Sequence, residues 1–252
     1  MAHPTVAVLE RHLSLYRRLW RASVFSSFVL PVLFLVSIGI GVGRHVGEVG
    51  GVDYLAWIVP GVMASTAFQM AVSESTYSIL GDFQWVRGYH TMRAAPIGIR
   101  NMVAGWLLYV LFRVEVAALV FLGVTSLFGA LRSPWAVVTP LVTALVALAA
   151  AAPVMAFSAS ISHDSYFALL FRFVMIPSTL FAGVFFPVEQ LPQVVRPLAY
   201  LSPLWHGVEL SRAATLGVSP PWPVWGHVGC LLVFVVGGVV WAAAAFRKRL
   251  QD

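Results

Sequence analysis

Four stretches of this chain carry no Asp, Glu, Lys or Arg: residues 22–43, 54–73, 133–163 and 213–246. Each is long enough to supply the roughly 20 mostly apolar residues that an α-helix needs to cross a bilayer. Two shorter gaps, 116–131 and 173–188, run on past the single charges Glu115 and Arg172. Of the 252 residues, 60% are hydrophobic and only 10% charged. Average soluble domains carry about 25% charged residues, so a water-soluble fold of this chain would lack the polar groups to cover its surface. The chain is also too apolar for disorder. The expected class is all-α integral membrane, one transmembrane domain over residues 1–252.

The gaps divide the chain into six expected spans, at 23–43, 54–77, 102–129, 134–160, 165–186 and 223–246. Ahead of them, residues 5–21 place Val6, Leu9, Leu13, Tyr16 and Trp20 at helical spacing, with Glu10, Arg11, Arg17 and Arg18 largely elsewhere. That pattern suits an amphipathic helix lying in the membrane interface; a short cytosolic helix is the plainer alternative. No cleavable signal peptide is evident, so the first span is expected to stay as an anchor. Residues 187–222 hold repeated prolines and no clean apolar run. They are expected as short re-entrant helices covered by protein or water at the outer half of the bundle.

Basic residues fix the expected orientation. Arg11, Arg17, Arg18, Arg21, Arg87, Arg93, Arg100, Arg247, Lys248 and Arg249 fall on one side, against Arg44, Arg132, Arg196 and Arg212 on the other. Both termini and the connection between spans 2 and 3 should therefore be cytoplasmic, in a multi-pass protein of the inner or plasma membrane. The basic residues flank spans instead of forming one patch, so nucleic acid is not an expected partner. The single cysteine, Cys230, excludes an intrachain disulfide.

Motifs for independent catalysis are missing from the sequence. There is no GxxxxGK[ST] phosphate loop, no HExxH or paired-cysteine metal site and no GxSxG elbow. This chain is expected to bind no metal or cofactor of its own.

Three groups of residues stand out instead. The connection at 80–96 mixes Phe83, Trp85, Tyr89 and Met92 with Asp82, Arg87 and Arg93 before Pro96 stops the helix. Aromatics, Met and Arg are enriched in protein interfaces, so this is either a docking surface for a cytosolic partner or an interfacial turn anchored by aromatics. In span 2, Ser65, Gln69 and Ser73 follow at i, i+4 and i+8 with Thr66 beside them. Such a stripe faces protein or water, and either lines a path or packs helices. In span 5, Phe173, Ile176 and Leu180 form an apolar face around Pro177, either greasy path or core.

Glu74, Arg113, Glu115 and Arg172 lie in or near apolar spans. Charges there cost several kcal/mol unless paired or hydrated. Arg113 and Glu115, two apart, point in different directions on a helix, and the expected pairs are Glu74–Arg172 or Glu115–Arg172. Their roles are either structural or in substrate passage.

The whole pattern resembles the ABC-2 type permease family. The most specific stretch is 181–213, FAGVFFPVEQLPQVVRPLAYLSPLWHGVELSRA. Its Phe186-Pro187, Gln190-Leu191-Pro192, Pro203-Leu204 with His206, and late Arg212 are similar to the C-terminal signature of these permeases. The match is nearest the branch holding nodulation-factor (lipo-oligosaccharide) exporters and daunorubicin-type drug exporters. The resemblance implies that two such chains pair, as a homo- or heterodimer, and that two ATPase subunits dock below, holding the ATP and Mg that this chain does not bind. It also implies that residues around 81–93 form a coupling helix, that spans 2 and 5 line a path at the dimer interface, and that Phe186, Pro187, Leu191, Pro192, Pro203, Trp205 and His206 belong to an external gate.

The resulting expectation is a non-enzymatic permease subunit that moves an amphipathic or hydrophobic molecule outward among membrane lipids. The cargo is a drug or antibiotic, a lipid or a lipo-oligosaccharide; short external loops tilt the choice toward the first. The rivals are a membrane-embedded lipid-modifying enzyme, which needs clustered carboxylates or His at one interface, and a non-transporting scaffold, which tolerates loss of the span 2 stripe.

Overall fold

Apolar runs of this length fold as helices because a helix satisfies every backbone group internally where no water can. The computed structural model describes residues 3–37, 41, 47–49, 51–127 and 129–251. Its helices are α1 (Pro4–Ser37), α2 (Tyr54–Glu74), α3 (Tyr77–Gln84), α4 (Gly88–Ala94), α5 (Ile99–Leu127), α6 (Thr139–Ser160), α7 (Tyr166–Leu170), α8 (Ile176–Phe181), α9 (Arg196–Leu201), α10 (Pro203–Leu216) and α11 (Val224–Arg249). A two-stranded hairpin, β1 (Glu48–Val49) and β2 (Val52–Asp53), precedes α2, and the Asp53 carboxylate accepts the Leu55 N–H at its start. Among the described residues, four stretches are long and apolar enough to cross a membrane: Tyr54–Gln84, Ile99–Leu127, Pro134–Ser160 and Val224–Arg249. Tyr166–Phe181 is a shorter apolar stretch.

Boundaries differ from expectation in ways the packing explains. The second span was expected to reach 77, yet α2 stops at Ser75. The Ser75 carbonyl there accepts the Ser158 hydroxyl at 2.7 Å, and Ser75 Oγ accepts the Trp106 indole N–H at 3.5 Å. Side chains of two neighbouring helices thus satisfy the end that the polar SEST sequence leaves open. Expected span 5, 165–186, is a broken stretch: α7, a π turn at Phe171–Met175, then α8. A π turn widens the helix locally, and Gly183 at φ +76° then turns the chain away.

Residues 5–21, expected as an interfacial helix, also pack along a neighbouring helix. They continue into expected span 1 as one helix, while 38–40 and 42–46 lie outside the described residues. Thr5 hydrogen-bonds Asn101, a Cβ on Gly105 would meet Val8 at 2.6 Å, His12 lies on Trp106 and Tyr109, and Tyr16 meets Phe112. The contacts advance together along both chains, so α1 runs beside α5 in the same direction for about three turns. Gly105 is the notch that lets the two backbones approach. An apolar face that packs on a neighbouring helix and one that lies on lipid have the same periodicity in sequence.

The remaining long helices pack around α6, an Ala-rich helix buried along much of its length. At α11 the backbones themselves come close: a Cβ on Gly238 would sit 2.6 Å from Pro153 Cδ and 2.8 Å from the Ala152 carbonyl carbon. Gly238 is therefore a required absence of side chain, and Pro153 inside α6 faces it.

Each end of the bundle has its own set of connections. At one end, Arg249 donates to the carbonyls of Ser158, Ala159 and Ile161, capping α6, and Gln84 donates to the Ser162 carbonyl. The start of α1, the start of α5, α3, α4 and the end of α11 all meet there. At the other end lie the starts of α2 and α11, the 182–188 turn, α9 and α10.

Candidate functional site

At the first of these ends, α3 and α4 form an elbow. Arg87 joins them in the left-handed region at φ 53°, a conformation that costs a non-glycine residue about 1–2 kcal/mol. What holds it is behind it. Arg11 Nη1 and Nη2 donate to the two carboxylate oxygens of Asp82 at 2.7 and 2.8 Å. Gly88 makes room, since a Cβ there would lie 2.8 Å from Asp82 Oδ1 and strike the Arg11 guanidinium. On the other side Phe83, Tyr89 and Phe246 form a three-ring cluster with centroids 4.7–4.8 Å apart, and Arg249 lies over Phe83 at 4.8 Å. Burial, with the Asp82 charge adding to it, pushes the Tyr89 phenol well above its ordinary pKa.

The seven expected docking residues therefore separate into two roles. Trp85 is 65% exposed, and Arg87 and Arg93 also face outward. Asp82, Phe83, Tyr89 and Met92 are buried, so they brace the elbow and are not free to touch a partner, a correction to reading all seven as contacts. Val86, 64% exposed between Trp85 and Arg87, is a surface residue that the sequence reading missed. Its position inside the expected segment was the available signal.

The intramembrane charges pair differently from expectation. Arg113 donates to Glu74, with the Tyr16 ring 5.2 Å from its guanidinium carbon. Glu115 accepts the Thr143 hydroxyl at 3.1 Å. Arg172 is exposed on the π turn and has no carboxylate partner among the described residues. Both pairs proposed for Arg172 are thus replaced, because α2 and α5 are direct neighbours while the π turn presents Arg172 to the outside.

Of the span 2 stripe, Ser65 is buried and accepts a hydrogen bond from Gln69 at 2.9 Å, Thr66 donates to the Val62 carbonyl, and Ser73 is exposed. In span 5, Phe173 is 73% exposed, with Ile176 and Leu180 also outward. Phe173 lines a groove of about 430 Å³ with Pro177, Phe181, Leu198, Leu201, Pro203 and Phe234. No residue of the α2 stripe lines it, so one chain does not bring the stripe and the span 5 face together.

At the opposite end Arg212 is the organising residue. It is buried, donates to Glu209 at 2.7 Å and to the Gly183 carbonyl, and stacks on Trp57 at 3.8 Å. Nearby, His206 Nδ1 and His227 Nδ1 lie 2.9 Å apart inside a cluster with Tyr200, Trp205 and Trp222. Burial lowers the His206 pKa. Of the expected gate residues, Leu191, Trp205 and His206 are buried, Phe186, Pro187 and Pro203 are half-buried, and Pro192 is exposed. His227 was not singled out, because only the return of α11 onto α10 brings it to His206; Glu209 and Tyr200 were also missed, although their partners Arg212 and His206 are close in sequence.

Long apolar helices, an aromatic and basic elbow held out at one end and an irregular proline-rich segment at the other define a helical membrane permease. The profile of the family described as ABC-2 type transporter matches residues 4–216, and the chain belongs to that family, as a permease subunit of an ABC transporter in a membrane. It is similar to Nodulation protein J of Rhizobium leguminosarum bv. trifolii, 29% identical over 97% of this chain and 93% of that one. Nodulation protein J of Bradyrhizobium diazoefficiens is 28% identical over 99% and 95%. Inner membrane transport permease YadH of Escherichia coli (strain K12) is 23% identical over 91% and 89%.

Proposed function

We propose that this chain pairs with a second permease chain and carries an amphipathic, largely apolar molecule outward, driven by two ATPase subunits that hold the ATP and Mg. The observation that carries the reading is the elbow. Trp85, Val86 and Arg87 stand in solvent as a rigid tip, because Asp82 and Arg11 clamp one side and Phe83, Tyr89 and Phe246 the other. An exposed aromatic and a cation on a braced support suit a protein interface. Arg93 extends the same surface.

In this reading the elbow end is cytoplasmic, where the basic residues gather. Six crossings follow if α1 and the 166–181 stretch each traverse once, since each leads from the elbow end toward elements at the opposite end. The cargo class, whether drug or antibiotic, lipid or lipo-oligosaccharide, follows the permease branch and the apolar faces of α7 and α8. The path joins the Ser65–Gln69 stripe of one chain to the Phe173, Ile176, Leu180 face of its partner, with 187–222 as the outer gate. Differential binding of the two ATPase states by the elbow would drive the change.

The test is reconstitution of the permease with its ATPase in proteoliposomes. ATP-dependent export of an amphipathic reporter, lost in Trp85→Ala/Arg87→Glu with normal membrane insertion, is the expected result. Export by the permease without any ATPase would overturn the reading.

A further inference from the structure

Between the first three turns of α5 and the last three of α11 lies an open groove of about 630 Å³. Its floor is small and apolar, with Ala104 and Leu107 on one wall and Val240 and Ala244 on the other. Its rim carries two arginines, Arg100 from α5 and Arg247 from α11. Both are exposed, and among the described residues neither guanidinium has a carboxylate within 4.0 Å. Two cations facing each other over an apolar floor repel unless an anion lies between them.

The dimensions narrow the anion. From Arg100 to Leu107 the helix rises about 10 Å, and from Val239 to Arg247 about 12 Å. The cationic rim is therefore at one level and the apolar floor extends inward by most of the roughly 15 Å depth of one leaflet. A free phosphate would use the rim and leave the floor bare. A basic pocket between membrane helices at the cytoplasmic surface suits an anionic lipid headgroup.

We propose that this groove holds an anionic phospholipid of the surrounding bilayer, its phosphate bridging Arg100 and Arg247 and one acyl chain laid along Ala104, Leu107, Val240 and Ala244. The site is independent of the cargo path and of the ATPase reading. It rests on the proposed reading in one respect, that the elbow end is cytoplasmic. Phe246, next to Arg247, is a member of the ring cluster behind the elbow, so the lipid would be seated one residue from the support of that surface.

The experiment is native mass spectrometry of the full chain, titrated in detergent with dioleoyl phosphatidylglycerol or dioleoyl phosphatidylcholine. The chain should retain the anionic lipid and shed the zwitterionic one. A basic residue near an anionic surface contributes on the order of a five-fold preference, so Arg100→Gln/Arg247→Gln should lower retention by about twenty-five-fold. Lys248→Gln removes a charge from the same end without touching the groove and should leave retention near the wild-type value. Ala104→Phe fills the floor while both arginines remain and should weaken retention as well. Equal retention of the two lipids, a Lys248→Gln loss matching that of the double variant, or an Ala104→Phe chain that binds as before would each overturn the proposal. So would displacement of the lipid by a docked ATPase subunit, which would make the groove part of a protein interface.

Discussion

Arg11 holds Asp82 with both ends of its guanidinium, Nη1 on one carboxylate oxygen and Nη2 on the other. The two residues are 71 positions apart, so this bidentate contact ties the first helix of the chain to the elbow between α3 and α4. Fork-to-fork geometry is among the strongest side-chain arrangements. Asp82 is buried, and Arg11→Gln leaves its charge without a full partner, a cost on the order of 2 kcal/mol. Thermal melting of the purified chain should show that loss. Asp82→Asn/Arg11→Gln, which removes both charges, should recover part of it.

Substitutions at the tip of the elbow should behave differently from those behind it. Trp85→Ala and Val86→Asp alter exposed side chains, so stability should stay within about 0.5 kcal/mol while association with the ATPase falls. Phe83→Ala should lower both, because it opens a cavity in the three-ring cluster, at about 3–5 kcal/mol. Co-purification and melting, measured on the same preparations, separate the two outcomes. Arg87→Gly should preserve the fold, since glycine adopts the φ of 53° without strain.

Glu74, at the end of α2, and Arg113, midway along α5, make a partly buried ion pair. Removing one partner strands a charge, and Arg113→Met should destabilise by about 3 kcal/mol. The double replacement Glu74→Leu/Arg113→Met should be milder than either single change. A double-mutant cycle in detergent melting reads the coupling directly; additive losses would show that the pair contributes nothing as a pair.

Two adjacent glycines of α11 make a controlled comparison. A Cβ at Gly238 meets the backbone of Pro153, whereas at Gly237 it meets nothing within 4 Å. Gly238→Ala should cost about 1–3 kcal/mol through overpacking. Gly237→Ala should be neutral or stabilise by up to about 1 kcal/mol through helix propensity. Melting temperatures of the two variants should shift in opposite directions.

Acid should loosen the end of the bundle opposite the elbow. His206 is buried with a pKa below its ordinary value of about 6.5, so the folded chain binds fewer protons than the unfolded one. The stability this allows is complete above about pH 6.5 and is lost as pH falls through the lowered folded pKa. The melting temperature should drop across that window, and His206→Asn should flatten the drop. A wild-type profile without slope below pH 6.5 would count against a neutral His206.

Much of this was legible in the residues. Charge-free runs marked α2, α6 and α11, and a shorter one marked the second half of α5, because length and apolarity are local properties. Interface-type residues marked the elbow for the same reason. The family was legible in the proline-broken 181–213 signature. Pairing was not: Arg113 and Glu74 lie 39 positions apart on different helices, and only the adjacency of α2 and α5 brings them together. Nor was direction legible within the elbow, since Tyr89 and Trp85 differ in burial through the turn at Arg87, not through residue type. The break within 165–186 was not legible for a further reason. A helical wheel assumes 3.6 residues per turn, and the π turn at Phe171–Met175 breaks that phase.

The clamp behind Trp85 has a mechanical consequence. One jaw belongs to the opening helix of the polypeptide and the other to its closing helix, through Arg11 and Phe246 respectively. A load placed on the tip is therefore divided at once between the beginning and the end of the molecule. Under the proposed coupling role, the short connection acts as a keystone, passing its displacement to both helices.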